Sequence, residues 1–213
     1  MFDGLLFDLD GTLWDSIDPI CVSWRRVLER RAPELASQMT RENVTGYMGM
    51  RLPDIARKVL PNTPPEEIQP LLKELLEEEN AHLAVHGGVL YPQVPETLKL
   101  LARDYPLCIV SNCQVGYIEA FFQAHGLKDY FIDYENPGRT GKDKADNIAL
   151  VVERNGMKRP LYIGDTQSDF DAASGAGVPF LHAAYGFGTI DRPVPFVRSF
   201  EEIPAAVTRL SPP

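Results

Sequence analysis

The amino-acid sequence predicts an α/β fold, with a doubly wound, Rossmann-like parallel sheet core and an inserted α-helical cap. Short apolar runs that end in polar residues alternate with amphipathic helical patterns along most of the 213-residue chain, which is typical of this fold class. The segment from Ser16 to Gly88 interrupts this alternation, contains no convincing strand and is too long for a loop. We therefore expect an α/β core of residues 1–15 and 89–213 and a helical cap of residues 16–88.

Five apolar runs predict the strands of the core, at residues 5–9, 107–110, 130–132, 161–163 and 178–181. Continuous apolar runs of this kind are typical of parallel strands that are buried on both faces. Helical patterns lie between them, at residues 97–101, 118–122 and 148–152. Because ligands of such sheets bind at the carboxyl ends of the strands, the polar residues that follow these runs are the candidate site residues.

Two amphipathic helices are predicted within the cap. The first has Ser16 as its N-cap and a single apolar face, which consists of Ile17, Ile20, Cys21, Trp24, Val27 and Leu28. The second follows a capping-box pattern at residues 63–66, and Pro70 predicts either a kink in this helix or a later start. The acidic run at residues 77–79 is expected to form a solvated face of the second helix.

The charge balance of the chain restricts its partners. A formal net charge of −9 and a pI of about 4.9 disfavour binding to nucleic acid. The first ten residues contain three aspartates and no basic or apolar leader, and no stretch approaches the roughly 18 apolar residues of a membrane span. We therefore expect a cytoplasmic protein without a membrane partner, while the sequence leaves its oligomeric state open.

The most informative segment is Asp8-Leu9-Asp10-Gly11-Thr12-Leu13, at the end of the first predicted strand. Glycine after a strand end allows the backbone to turn, so that both carboxylates can approach one site. Two carboxylates near one metal ion can divide the chemistry, one as an ionised nucleophile and the other as an acid and base. Further candidates follow other strand ends or precede a core helix: Ser111-Asn112, Gly164-Asp165-Thr166-Gln167-Ser168-Asp169, and Lys142 with Lys144.

With these motifs in this order, the chain resembles the haloacid dehalogenase-like hydrolase superfamily, in its phosphatase branch with a helical cap inserted after the first motif. The resemblance covers nearly the whole chain, with residues 8–13 as the first motif, Ser111 as the second, a lysine as the third and residues 164–169 as the fourth. It implies that Asp8 attacks phosphorus to form an aspartyl phosphate. It also implies that Asp10 protonates the leaving alkoxide and then deprotonates the attacking water.

The resemblance further implies a Mg²⁺ cofactor. Asp8, the backbone carbonyl of Asp10, and Asp165 would hold the ion, with Asp169 as a direct or water-mediated ligand. A hard divalent cation suits such oxygen ligands, and it offsets the repulsion between Asp8 and a phosphate dianion.

Two polar residues and one lysine are expected to contact the phosphate. Ser111 offers a hydroxyl group and Asn112 an amide to the phosphoryl oxygens, and the lysine adds a fixed positive charge. Lys144 is preferred as this catalytic lysine, because residues 144–148 resemble the helix start of cap-bearing relatives that lack a Lys-Pro pair. Lys142 is the alternative.

Arg51 is the candidate for substrate selection by the cap. Residues 46–51 form a glycine-flanked turn, and the next cap helix is predicted to start near Pro53. From this loop Arg51 can grip a second anionic or hydroxylated group of a metabolite. The alternative is an ordinary surface arginine that is solvated or paired with Asp54.

The leading functional prediction is a Mg²⁺-dependent phosphatase that acts on a small phosphorylated metabolite through an aspartyl-phosphate intermediate. A phosphomutase acting on a sugar phosphate shares the same machinery and is the main alternative. Haloacid dehalogenation is disfavoured, because Asp10 supplies an acid that carbon–halogen displacement does not need. A receiver-type signalling domain is also disfavoured, because such a domain needs no cap of the size of residues 16–88.

Overall fold

The computed structural model describes residues 1–211. Its strands are β1 (Gly4–Phe7), β2 (Trp14–Asp15), β3 (Val89–Leu90), β4 (Leu107–Val110), β5 (Phe131–Glu135), β6 (Pro160–Gly164), β7 (Phe180–Ala183) and β8 (Phe196–Val197). Six of them form a parallel sheet in the order β5-β4-β1-β6-β7-β8. The predicted parallel sheet is confirmed, and its five predicted runs correspond to β1, β4, β5, β6 and β7. The short edge strand β8 was not expected.

The helices lie mainly between the strands, as the alternating pattern predicted. They are α1 (Ile17–Arg31), α2 (Pro33–Ala36), α3 (Arg41–Thr45), α4 (Leu52–Val59), α5 (Pro65–His86), α6 (Val94–Leu101), α7 (Tyr117–His125), α8 (Pro137–Thr140), α9 (Lys144–Arg154), α10 (Gln167–Gly175) and α11 (Ile203–Leu210), with 3₁₀ turns at Lys128–Tyr130 and Phe200–Glu202. Within residues 1–211, none of these helices combines the length and the apolar character that crossing a membrane requires.

The central strands β1, β4 and β6 are buried on both faces, because their side chains alternate between two apolar clusters. Leu5 and Phe7 of β1 face one cluster, whereas Leu6 faces the other. Leu6 lies beside Cys108 of β4 and Tyr162 of β6 in the register of the sheet. Helices α9 and α10 pack against the strands on this second face. This burial on both sides explains why these central strands are continuous apolar runs in the sequence.

Helices α1–α5 form one helical insertion, residues 17–86, between β2 and β3. The two strands that flank it pair antiparallel, with Trp14 beside Leu90 and Asp15 beside Val89. This two-stranded ribbon, β2–β3, joins the insertion to the rest of the chain. Helix α5 packs on both α1 and the core helix α7, so it connects the insertion to the core. The division into a core and a cap domain at residues 16–88 stays a prediction.

The apolar face predicted for α1 is buried, but the predicted helix starts differ from the observed ones. Ser16 occupies the N-cap position of α1 without capping it through its side chain. Helix α5 begins at Pro65, after Pro64 at the N-cap position, so the predicted capping box and a later start are both wrong. Pro70 lies inside the helix and forfeits the hydrogen bond to the carbonyl group four residues earlier. The buried leucines of this 22-residue helix offset that loss.

The acidic run on α5 is only partly solvated, contrary to the expectation. Glu77 is exposed, whereas Glu79 is buried and only 4% exposed. The reason is the helical period. Glu79 lies four residues after Leu75 and four before Leu83, so it shares their inward-facing stripe.

Candidate active site

Three buried aspartates meet at the carboxyl end of the central strands. Asp8 follows β1 directly, and Asp165 follows the neighbouring strand β6. Asp169 lies in the first turn of α10, which begins two residues after Asp165. One carboxylate oxygen from each of the three residues lies within 4.8 Å of the others. The structure therefore brings together three of the predicted metal ligands.

Lys144 lies among these carboxylates. Its Nζ atom donates a hydrogen bond to Asp8 Oδ1 at 2.6 Å and another to Asp169 Oδ1. The side chain of Lys144 is 4% exposed, so these ion pairs are shielded from solvent. Lys142, the alternative catalytic lysine, is exposed, and its backbone N–H bonds to the hydroxyl group of Thr140. The lysine that contacts the acidic cluster is thus Lys144.

The local structure at the start of α10 fixes Asp169. Its Oδ2 atom accepts hydrogen bonds from the backbone N–H and the hydroxyl group of Thr166, at 2.9 and 2.7 Å. The Thr166 hydroxyl in turn accepts from the backbone N–H of Asp169, which completes a capping box. With Lys144 on its other oxygen, Asp169 is held on both sides. The Thr-x-x-Asp spacing in the sequence is a signal from which this cap could have been predicted.

Asp165 has one paired and one unpaired carboxylate oxygen. Its Oδ2 atom accepts a hydrogen bond from the backbone N–H of Phe187 at 2.7 Å, whereas its buried Oδ1 atom has no hydrogen-bond partner among the described residues. Gly11 makes this packing possible. It has a φ of +79°, and a Cβ atom at this position would lie 2.1 Å from Asp165 Oδ2.

The cluster is electrostatically strained when no cation is bound. Burial and the nearby charge of Asp169 raise the pKa of Asp8 to about 7, although Lys144 lowers it. Burial raises the pKa of Asp165 well above its usual range, and the charges of Asp169 and Asp8 add to the effect. One lysine does not compensate for three buried carboxylates, so the site favours an additional positive charge.

Asp10 lies on the turn after β1 and is held by three donors. Its Oδ1 atom accepts hydrogen bonds from Trp14 Nε1 and Tyr117 Oη, both at 2.8 Å, and from Ser16 Oγ. Burial raises the pKa of Asp10, whereas these three hydrogen bonds lower it. Ser16 therefore contacts the site instead of capping α1. The sequence analysis did not identify Trp14, Ser16 or Tyr117 as site residues.

The other predicted residues differ in their burial and in their contacts. Ser111 is buried at the end of β4. Asn112 is half-buried, and its Nδ2 atom donates to the carbonyl oxygen of Gly49 in the insertion at 3.2 Å. Arg51 is exposed and pairs with Asp54, with 3.2 Å between Nε and Oδ2. Arg51 and Lys144 also line one cavity of about 450 Å³ between the insertion and the core.

Several proteins of known sequence or structure are similar to this chain. The phosphoglycolate phosphatase of Escherichia coli (strain K12) is 29% identical, over 86% of this chain and 82% of that protein. The phosphoglycolate phosphatase of Shigella sonnei (strain Ss046) is 30% identical over the same shares. A crystal structure of a predicted phosphoglycolate phosphatase from Haemophilus somnus matches with a TM-score of 0.80 and 21% identity, and the match covers 96% of this chain and 97% of that one.

The same fold also occurs in a protein with a different printed activity. The structure of a 2-haloacid dehalogenase from Pseudomonas syringae pv. Tomato matches with a TM-score of 0.69 and 22% identity, over 99% of this chain and 100% of that one. These two structural likenesses show the fold alone. Together, the parallel sheet and the acidic centre at its carboxyl end place the chain among the doubly wound α/β proteins that bind ligands at this edge of the sheet. The chain belongs to the haloacid dehalogenase-like hydrolase family, whose family model matches residues 5–183, and the expected family is thus confirmed.

Proposed function

We propose that the chain is a Mg²⁺-dependent phosphatase, which hydrolyses a small phosphorylated metabolite through an aspartyl phosphate on Asp8. The observation that carries this proposal is the buried group of Asp8, Asp165 and Asp169 around Lys144. The names of the curated relatives support the expected enzyme class, a phosphoric monoester hydrolase. A cytoplasmic location stays a prediction.

The residues at the centre fit a magnesium ion. The unpaired Oδ1 atom of Asp165 and the neighbouring carboxylate of Asp8 are hard oxygen donors, and the surplus of buried negative charge favours a divalent cation. Asp8 and Asp165 would hold the ion together with the backbone carbonyl group of Asp10. Both oxygens of Asp169 already accept hydrogen bonds, which favours contact through water for this residue. When bound, the cation offsets the charge between Asp8 and the phosphate dianion.

Asp8 and Asp10 would perform the two chemical steps. A carboxylate oxygen of Asp8 attacks phosphorus, the bond from phosphorus to the leaving oxygen breaks, and Asp10 gives its proton to that oxygen. Asp10 then takes a proton from water, whose oxygen attacks the aspartyl phosphate and frees Asp8 and inorganic phosphate. Because three donors already occupy Oδ1 of Asp10, its Oδ2 atom is the one that carries the proton.

The remaining residues would position the phosphate. Lys144 fixes the carboxylate of Asp8 for attack and adds a positive charge beside the phosphoryl oxygens. The backbone N–H of Ser111 donates to the carbonyl oxygen of Glu135, which fixes Ser111 at the end of β4, and its hydroxyl group would contact a phosphoryl oxygen. Asn112 lies next to it, at the boundary with the insertion.

Release of inorganic phosphate from an aryl phosphate tests this proposal. We expect release with Mg²⁺ and none in chelator, with Ca²⁺ supporting less turnover because its larger coordination shell engages both oxygens of Asp8. Asp8→Asn should abolish turnover in a folded protein, while the matched change at the exposed Asp129 should leave it intact. Asp10→Asn should slow turnover strongly and still permit labelling of Asp8 by a substrate with a good leaving group. Full activity in chelator, or with Asp8→Asn, would refute the proposal, and transfer of phosphate to a sugar without release would indicate the phosphomutase.

A further inference from the structure

A second cavity adjoins the proposed acid and base. It lies between the insertion and the core, and Asp10 and Tyr117 line it on the core side, beside Asn112. Glu79 of α5 lines it on the insertion side. Lys144 and Asp8 are not among its lining residues, so the cavity extends from the side of Asp10, where the leaving oxygen of a phosphate ester would receive its proton.

The cavity is small. Its volume is about 50 Å³, and one water molecule needs roughly 10–15 Å³ of such space. The cavity therefore holds a group of about three to five non-hydrogen atoms. This size corresponds to a two- or three-carbon alcohol.

The polar groups of this cavity offer no positive charge to a negatively charged ligand. No lysine, arginine or histidine is among the described residues that line it. Burial raises the pKa of Glu79 to about 8, which shows that these surroundings disfavour negative charge on a carboxyl group. A carboxylate on a ligand would face the same desolvation and the nearby Asp10, with no cation to pair it. An anionic leaving group is therefore a poor occupant.

The same groups do suit a hydroxyl. Glu79 accepts hydrogen bonds from Gln114 Nε2, at 3.0 Å, and from Trp24 Nε1, one on each oxygen. Each carboxyl oxygen has capacity for more than one hydrogen bond, so both can engage a further group. The buried Oδ1 atom of Asn112 has no hydrogen-bond partner among residues 1–211 and can accept from a donor. A hydroxyl group both donates and accepts, and it carries no charge to desolvate.

We infer that this cavity is the leaving-group subsite, and that Glu79 selects a small leaving group that bears a hydroxyl and no negative charge. The inference rests on the proposed phosphatase activity and specifies its substrate class. It also separates this chain from its curated relatives, since phosphoglycolate carries a carboxylate on its leaving group.

Three two-carbon phosphate esters test the inference on the full chain with Mg²⁺. They are 2-hydroxyethyl phosphate, ethyl phosphate and phosphoglycolate. The second carbon of the leaving group bears a hydroxyl in the first ester, is a methyl group in the second and is a carboxylate carbon in the third. We expect kcat/KM for 2-hydroxyethyl phosphate to exceed that for ethyl phosphate about fivefold, the effect of one hydrogen bond. It should exceed that for phosphoglycolate by at least about tenfold, because the unpaired carboxylate is desolvated. Equal or faster turnover of phosphoglycolate would overturn the inference.

Substitutions of Glu79 identify the residue responsible. Glu79→Leu should reduce the preference for 2-hydroxyethyl over ethyl phosphate to less than about twofold, mainly through KM, because the hydrogen bond to the hydroxyl is lost. Glu79→Gln keeps a hydrogen-bonding side chain and should retain most of that preference. Glu77→Leu, the same change on the exposed face of α5, should leave it as in the wild type. An unchanged preference in folded Glu79→Leu would show that Glu79 does not select the leaving group.

The wild-type panel decides the matter even if Glu79→Leu fails to fold, because the inference requires the hydroxyl preference in the unaltered chain. The panel also separates two kinds of failure. If no ester and no aryl phosphate releases phosphate with Mg²⁺, the proposed function is wrong. If phosphate is released but the hydroxyl gives no advantage, only the inference about the leaving group is wrong.

Discussion

Asp165 is predicted to destabilise the metal-free protein, so Asp165→Asn should stabilise it. The side chain of Asp165 is fully buried, and its Oδ1 atom has no hydrogen-bond partner among the described residues. Its Oδ2 atom accepts one hydrogen bond from Phe187, and the carboxylates of Asp8 and Asp169 lie nearby. An asparagine keeps the acceptor for Phe187 and removes the charge that these neighbours oppose.

The magnitude follows from the cost of burying a charge beside two other carboxylates. Removing that charge is worth about 1–3 kcal/mol in the free energy of unfolding. For a chain of this length, each kcal/mol shifts the melting temperature by about 2–4 °C, so the variant should melt roughly 2–12 °C higher in chelator. Stabilisation by Mg²⁺, in contrast, should require the carboxylate of Asp165. At 100 times its Kd the ion stabilises a one-site protein by about 2.7 kcal/mol, and Asp165→Asn should lose most of that gain.

The pH dependence of this effect has a definite sign. Because the pKa of Asp165 is raised by folding, the native state keeps a proton that the unfolded state has lost. Stability therefore falls as the pH rises from the unfolded pKa towards the folded one, and the penalty is fully present above the folded value. The advantage of Asp165→Asn in chelator should accordingly be larger at pH 8 than at pH 5.

Thermal unfolding followed by circular dichroism measures both effects, in chelator and in Mg²⁺, at the two pH values. Asp171→Asn is the matched control, because Asp171 is exposed on the same helix α10. The control should melt like the wild type and keep the full response to Mg²⁺. A lower melting temperature of Asp165→Asn in chelator would refute the account of a strained acidic cluster, and an undiminished response to Mg²⁺ would refute the assignment of Asp165 as a ligand.

Three further variants test individual roles by steady-state kinetics. Lys144→Ala should lower kcat/KM by more than about tenfold, or roughly 1.4 kcal/mol. Lys142 is exposed, so Lys142→Ala should lower it less. The reverse order of the two effects would make Lys142 the catalytic lysine. Tyr117→Phe removes a hydrogen bond that lowers the pKa of Asp10, so the Asp10 limb of the pH–rate profile should move to higher pH, and an unshifted limb would contradict this role. Arg51 pairs with Asp54 and does not line the leaving-group cavity, so Arg51→Ala should raise KM only for a metabolite that extends beyond that cavity, with little change for a small aryl phosphate; equal effects on both would leave Arg51 as a surface residue.

The parts of the fold that the sequence predicted are those with a local pattern. The central strands β1, β4 and β6 are continuous apolar runs that are followed by a polar residue, whereas β5 and β7 include the polar residues Asp133 and His182. The carboxyl ends of parallel strands meet at one edge, so Asp8, Ser111 and Asp165 could be expected to lie close together. No local pattern of this kind distinguishes Lys142 from Lys144 as the lysine of the site. The choice depends on the helical turn at which α9 begins, and helix starts are poorly defined by sequence.

The burial of Glu79 could have been predicted from the helical period, although its charge argued against it. An acidic run in a sequence is usually a solvated face, but successive residues of a helix point about 100° apart. When α5 packs on α1 and α7, one residue of such a run must face inward. The leucines four residues before and after Glu79 mark it as that residue.

The partners of Asp10 could not be predicted in the same way, because one of them is distant in the chain: Trp14 and Ser16 lie four and six residues from Asp10, whereas Tyr117 lies 107 residues away. Trp14 lies in the β2–β3 ribbon, Ser16 is the residue before the insertion, and Tyr117 begins the core helix α7. Each donates to the same oxygen of Asp10 and lowers its pKa, in opposition to burial. The protonation of the proposed acid therefore depends on the ribbon that carries the insertion as well as on the core. A change at Ser16 that removes this donor raises the pKa of Asp10 without altering any residue that touches the phosphate.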